Sequence, residues 1–181
     1  FRGREYIGLP QKTLPKIDRA ILGLRGLMMF AAMPGVGKTS LAVQMGLDIV
    51  ANNEEACFLF LSLEMSRQEM ITRMICYLAR MDWQIYARGS RRGGNINEAL
   101  FTREELDRIN DARRKLGELS QRIIILDVEN FPHPTVESVQ AQVEKLKKET
   151  GTSRAYVLVD YLQMWPIPED RSTKHNTDLR S

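Results

Sequence analysis

With 181 residues, 43% of them hydrophobic, the chain is long enough to bury one sizeable core and too short for two full domains. A formal net charge of +3 tolerates an anionic partner without by itself arguing for nucleic acid, and no apolar run reaches the length of a membrane span. Cys57 and Cys76 lie in apolar segments without metal-ligand spacing, which predicts buried, reduced thiols in a cytoplasmic protein, and Phe1-Arg2-Gly3-Arg4 has no signal-peptide character. The start without methionine and the polar ending lead us to expect a fragment of a longer protein.

Residues 1–26 carry Gly8, Pro10, Pro15, Gly23 and Gly26 around the amphipathic piece Ile17–Leu22, and read as a lead-in segment or linker with one brief helix. A core over 27–165 follows, and 166–181 reads as a polar loop. The core opens on Leu27-Met28-Met29-Phe30-Ala31-Ala32, expected to be its first strand. That run stops in Met33-Pro34-Gly35-Val36-Gly37 and restarts as a helix at Lys38-Thr39-Ser40. This pattern is a phosphate-binding P-loop. Small residues let successive backbone N–H groups curl round a phosphate, and the following helix points the positive end of its dipole at the same place. Lys38 is then placed to reach the β- and γ-phosphates of a nucleoside triphosphate, and the Thr39 hydroxyl to bind Mg2+. The usual pattern opens with glycine; here Ala32, still small, stands in that position.

Leu41, Met45 and Ile49 recur at helical spacing through Lys38 to Ala51, and Asn52-Asn53 ends that helix. Cys57–Ser62 has the length and unbroken apolarity of a parallel strand covered on both faces. Ser66 with Glu69 makes a capping box for a helix to about Arg80, with Met70, Met74 and Leu78 beside Ile71 and Ile75 as its buried stripe. Between Trp83 and Gly94, the residues Arg88, Gly89, Arg91, Arg92 and Gly93 predict a mobile basic loop, more simply a solvated loop than a DNA contact. Thr102 with Glu105 starts a charged helix to about Leu119, and Ile123–Asp127 is the next strand. After Pro132 and Pro134, Thr135 caps a helix with Val136, Val139, Val143 and Leu146 on one face and Gly151 at its end; Tyr156–Asp160 is the last strand.

Strands alternating with helices imply parallel crossovers, hence an α/β fold with a parallel sheet sandwiched between helices and its ligand off the carboxyl ends of the strands. Glu64, Asp127 and Asp160 all belong to that rim. Asp160, closing an apolar strand, is the magnesium-holding acid of Walker B type beside Thr39. Tyr161 follows it, so no glutamate stands next to it, and Glu64 becomes the candidate to orient or deprotonate the attacking water. Asp127 precedes a Pro-interrupted loop and is expected to cap or turn the chain; His133 and His175 are expected to be solvated.

Three segments together resemble the C-terminal motor domain of DnaB-type replicative helicases, a hexameric branch of the RecA-like P-loop NTPases. They are Ala31–Thr39, Leu61-Ser62-Leu63-Glu64-Met65-Ser66 and Val159-Asp160-Tyr161-Leu162-Gln163-Met164. The Leu-Glu-Met and Asp-Tyr-Leu-Gln signatures are specific to that family, alanine at the first P-loop position is usual in it, and the likeness spans most of residues 8–164. The resemblance implies an ATP-driven helicase motor that uses Mg2+ and translocates on single-stranded DNA as a homo-hexamer, with a primase or helicase loader as partner. It also implies that Glu64 acts on the water. The family's sensor glutamine, DNA loops and arginine finger are not found after Met164, so this chain is expected to bind nucleotide better than it turns it over. Two other readings stay open: another RecA-like ATPase, of recombinase or clock type, and a nucleotide-binding replication accessory protein that does not hydrolyse ATP.

Overall fold

The computed structural model describes residues 26–89 and 95–165 together with Lys16, Ala20 and Leu24. Lys16 and Ala20 are helical, while the rest of the brief helix expected over Ile17–Leu22, Arg91, Arg92 and the tail from residue 166 with His175 lie outside the described residues. The centre is β1 (Ala56–Ser62), buried along its whole length. Phe58 and Phe60 point to one side, against Val43, Leu47 and Val50 of α1 (Lys38–Asn52) and Met70 and Met74 of α2 (Arg67–Ala79). Leu59, Leu61 and Leu63 point to the other, against Val139 and Val143 of α5 (Val136–Thr150). The unbroken apolar run in the sequence reflects this two-sided burial.

On its edges β1 pairs in parallel with β2 (Ile123–Asp127) and β3 (Arg154–Asp160), giving the order β2-β1-β3. The register sets Ser62 opposite both Asp127 and Asp160, so three strand ends stand level on one rim. Side chains in register on parallel strands share a face. The two aspartates therefore lie on the side of Phe58 and Phe60, over which α1 and α2 begin.

The helices end as their sequences dictate. Ser66 and Glu69 form the expected capping box of α2, as do Thr102 and Glu105 for α4 (Arg103–Leu119). Thr135 pairs with Ser138 at the start of α5, and Gly151, at φ 69°, ends it in the left-handed region that glycine reaches without strain. Tyr77 of α2 donates to both carboxylate oxygens of Asp48 on α1, at 2.9 and 3.0 Å, and ties the two helices together. Cys57 and Cys76 are free and buried; burial pushes the Cys76 thiol up to about 11, which keeps it protonated and inert.

Three local expectations are corrected. Leu27–Ala32 forms no strand: the described sheet has three strands, and Leu27, Met29 and Phe30 are 94%, 75% and 43% exposed. A parallel strand is stable when neighbours line its edges and helices cover its faces. Second, Trp83–Gly89 is a helix, α3, rather than the start of a basic loop. Its turn is fixed by packing: Tyr86 is buried among Ile109 and Ala112 of α4, and Gly89 lies directly under the Phe101 ring. Third, Val136, the first residue of α5, is exposed although its spacing matches Val139, Val143 and Leu146.

At Gly46 α1 lies close against the sheet, and an added Cβ would lie 2.2 Å from the ring of buried Phe58. In an open helix position Gly→Ala gains up to about 1 kcal/mol. Here Gly46→Ala should instead lower stability by about 1–3 kcal/mol through overpacking, measured as a lower denaturation midpoint with unchanged m-value.

Candidate nucleotide-binding site

The loop before α1 is shaped by two glycines in left-handed conformations, Gly35 at φ 78° and Gly37 at φ 98°. A side chain would strain either position. Gly37 is the N-cap of α1 and offers no side-chain acceptor, and the first turn of the helix holds no acidic residue. The first N–H groups of a 15-residue helix are thus left without a side-chain acceptor, and the helix dipole adds to their attraction for an anion. Lys38 bends back over the loop and donates to the carbonyls of Ala32 at 2.9 Å and Met33 at 3.2 Å, which holds its ammonium inside the curl made by residues 33–37.

Across the sheet end, the Thr39 hydroxyl donates to Asp160 Oδ2 at 2.6 Å, joining residues 121 apart in sequence. Asp160 is 8% exposed. Two hard oxygen donors therefore converge beside the loop, and their chemistry would suit a magnesium ion. Among the described residues no group of three or more His, Cys, Asp or Glu side chains could hold a metal ion by itself, so these two oxygens fit a cation shared with phosphate rather than a dedicated protein cage.

Glu64 enters the rim from β1. Leu63 N–H donates to Asp160 O at 2.8 Å, carrying the β1–β3 ladder past the strand end, and the next side chain, Glu64, is exposed. Ser62 Oγ donates to Met65 O at 2.7 Å and accepts Met65 N–H at 3.1 Å, closing the turn beneath Glu64. The structure thus brings Thr39 and Asp160 into direct contact, sets Lys38 in the loop, and places Glu64 one residue beyond a backbone bond to Asp160. Asp127, expected only to cap or turn, does both: Oδ1 accepts Asn130 N–H at 3.0 Å and Oδ2 accepts Arg67 N–H at 2.6 Å. That second bond has no sequence signal, because its partners are 60 residues apart. His133 is exposed, as expected, and Arg88 lies in the last turn of α3.

The loop glycines, Lys38, Thr39 and the strand-end Asp160 stand together at one end of the sheet, and comparison with known proteins shows the family. A family model for the DnaB-like helicase C terminal domain matches residues 8–180. This chain belongs to that family. The match runs past the Asp-Tyr-Leu-Gln segment to residue 180. Curated relatives include the replicative DNA helicase DnaB of Geobacillus stearothermophilus, 30% identical over 90% of this chain, and the replicative DNA helicase DnaC of Bacillus subtilis, 29% identical over 90%. A probable plasmid replicative DNA helicase of Chlamydia trachomatis is 27% identical over 81% of it. The chain spans 32% of the length of the first two. A solved DnaB-like replicative helicase, described with its interactions with primase, superposes on 96% of this chain and 40% of its own at 23% identity and a TM-score of 0.73, which establishes a shared fold. This DnaB-like domain has no described helix long and apolar enough to cross a membrane.

The turn bearing Glu64 leads into the capping box of α2, which makes its stability depend on acid. Glu69 is held below its ordinary value of 4.5, first by the backbone N–H of Ser66 and then by the Ser66 hydroxyl. A lowered carboxylate contributes stability that is fully present above its unfolded pKa and is lost as pH falls through the folded one. Glu69→Gln keeps the box but removes the charge. It should melt below wild type at neutral pH, and the gap should close as the pH drops below 4.5, read from thermal melts of both proteins across the acid range.

Proposed function

We propose that this chain is the ATP-hydrolysing motor of a replicative DNA helicase. The single observation that carries the proposal is the Thr39–Asp160 hydrogen bond, which joins the P-loop helix to the strand-end acid in a DnaB-like domain. Backbone N–H groups of Met33, Gly35, Val36, Gly37, Lys38, Thr39 and Ser40, shaped by Pro34, cradle the phosphates of ATP. The Lys38 ammonium turns from its loop carbonyls to the β- and γ-phosphates. Thr39 and Asp160 hold Mg2+, which when bound neutralises charge on the phosphate oxygens. Glu64 orients the attacking water and takes its proton.

The relatives are named replicative helicases, and the solved neighbour is described with primase. By that kinship the assembled protein works in the cytoplasm as a homo-hexamer on single-stranded DNA, with a primase or a helicase loader as partner. Hydrolysis then moves the DNA through the ring.

Steady-state ATP hydrolysis by the full-length protein, with and without single-stranded DNA, is the test. Stimulation by DNA is expected. Turnover indifferent to DNA would favour another RecA-like ATPase instead, and nucleotide binding without turnover a binding accessory. In the same assay Lys38→Ala should abolish binding of a fluorescent ATP analogue, whereas Glu64→Gln should keep binding and lose about 10²–10⁴-fold in kcat.

A further inference from the structure

We propose that Asp127 is a positioning residue for Glu64: from the neighbouring strand it holds the far end of the turn on which the water-orienting carboxylate stands. The inference rests on the role assigned to Glu64 above and adds a third strand end to the same machinery.

Glu64 lies on a short link between the end of β1 at Ser62 and the start of α2 at Arg67. Its near side is fixed by Leu63 N–H on Asp160 O and by the two hydrogen bonds between Ser62 and Met65. Its far side depends on where α2 begins. The cap itself is internal to the helix, with the Ser66 hydroxyl accepting Glu69 N–H at 3.3 Å and Glu69 Oε2 accepting Ser66 N–H at 2.9 Å. These bonds shape the first turn but tie it to nothing else. The tie to the sheet is Arg67 N–H on Asp127 Oδ2 at 2.6 Å.

Packing of Met70 and Met74 on the side of Phe58 and Phe60 seats the body of α2 on the sheet, and the bond to Asp127 fixes the N–H end of its first residue. A cleft of about 410 Å³ opens beside the start of α2, between Arg67, Gln68 and Ile71 on the helix and Asp127 and Asn130 after β2. On the side of that cleft, the first residue of α2 is placed by a directional bond to Asp127. Asp127 is built for the task. Its side chain is 2% exposed, its second oxygen accepts Asn130 N–H, and Asn130 Oδ1 accepts Asp127 N–H at 3.2 Å, which together lock the carboxylate. A turn alone needs one of these oxygens, and the second reaches 60 residues away. The arrangement parallels Asp160, the other aspartate level with Ser62, which takes the Thr39 hydroxyl in the first turn of α1.

The bond can be removed from the helix side without touching either carboxylate. Arg67 is the first residue of α2, where proline is well tolerated, and Ser66, at φ −66° and ψ 154°, already has the extended conformation that a residue before proline adopts. Arg67→Pro deletes the N–H, and Arg67→Ala is the reference, since both lose the same side chain. In the full-length protein, kcat of Arg67→Pro should fall on the order of 10- to 100-fold below that of Arg67→Ala, the cost typical of a misplaced reacting group. KM for Mg-ATP should stay within about twofold, because the P-loop is untouched. Asp127→Asn, which keeps the shape and replaces one acceptor oxygen by a donor, should show the same split between kcat and KM. Adding it to Glu64→Gln should cost nothing further. Equal kcat for the two Arg67 variants, or a kcat loss matched by a rise in KM, overturns the positioning role. Should Glu64→Gln alone turn over ATP at the wild-type rate, the assignment of Glu64 fails first and the role of Asp127 with it.

Discussion

The constraint on which the rest of this molecule depends is the complete enclosure of β1. Its two faces are sealed by different helices and its two edges by different strands, β3 along its whole length and β2 from Phe58 to Ser62, and every residue in it is buried. A strand enclosed in this way cannot slip. A shift of one residue would turn Phe58 and Phe60 toward α5 and Leu59 and Leu61 toward α1 and α2, which no local adjustment could absorb. The apolar core therefore sets the register, and the register in turn levels Ser62, Asp127 and Asp160 on one rim.

From that rim the chemistry follows with little further machinery. Both flanking aspartates fall on the face where α1 and α2 start, and each meets the first turn of one of those helices. Thr39 answers Asp160 through a hydroxyl, and Arg67 answers Asp127 through its backbone N–H. Carboxylates near helix N-termini are favoured by the dipole as well as by the unpaired donors there. One of these contacts lies at the glycine loop before α1 and the other at the end of the Glu64 turn. A sheet buried for stability thus also serves as the ruler that spaces the groups of the site.

Much of the fold was legible because its signals are local. Ser66 and Glu69, Thr102 and Glu105, and Gly151 mark helix ends through contacts spanning a few residues, and β1 announces its burial by having no polar residue before Ser62. The failures were equally local in cause. Leu27–Ala32 has the composition of a buried strand, yet strand formation is decided by available edges and cover, which composition does not contain. The segment from Trp83 was read as loop from its glycines and arginines, whereas Tyr86 and Phe101, one on either side of them, fold its first turns against α4. There tertiary packing outweighed weak intrinsic propensity.

By itself the sequence determined four of the described α-helices and three of the strands, the caps, the glycine loop at Gly35 and Gly37, and the acids that end strands. Each of these is written in contacts between residues a few positions apart. Only the tertiary structure decided the order β2-β1-β3, the register that levels Ser62 with both aspartates, the direct hydrogen bond of Thr39 to Asp160 and the hold of Asp127 on α2. Those pairings join residues 121 and 60 positions apart, and nothing nearby in the chain selects one partner over another. They are selected by the one packing of helices on a twisted sheet that leaves Phe58, Leu59, Phe60 and Leu61 all dry.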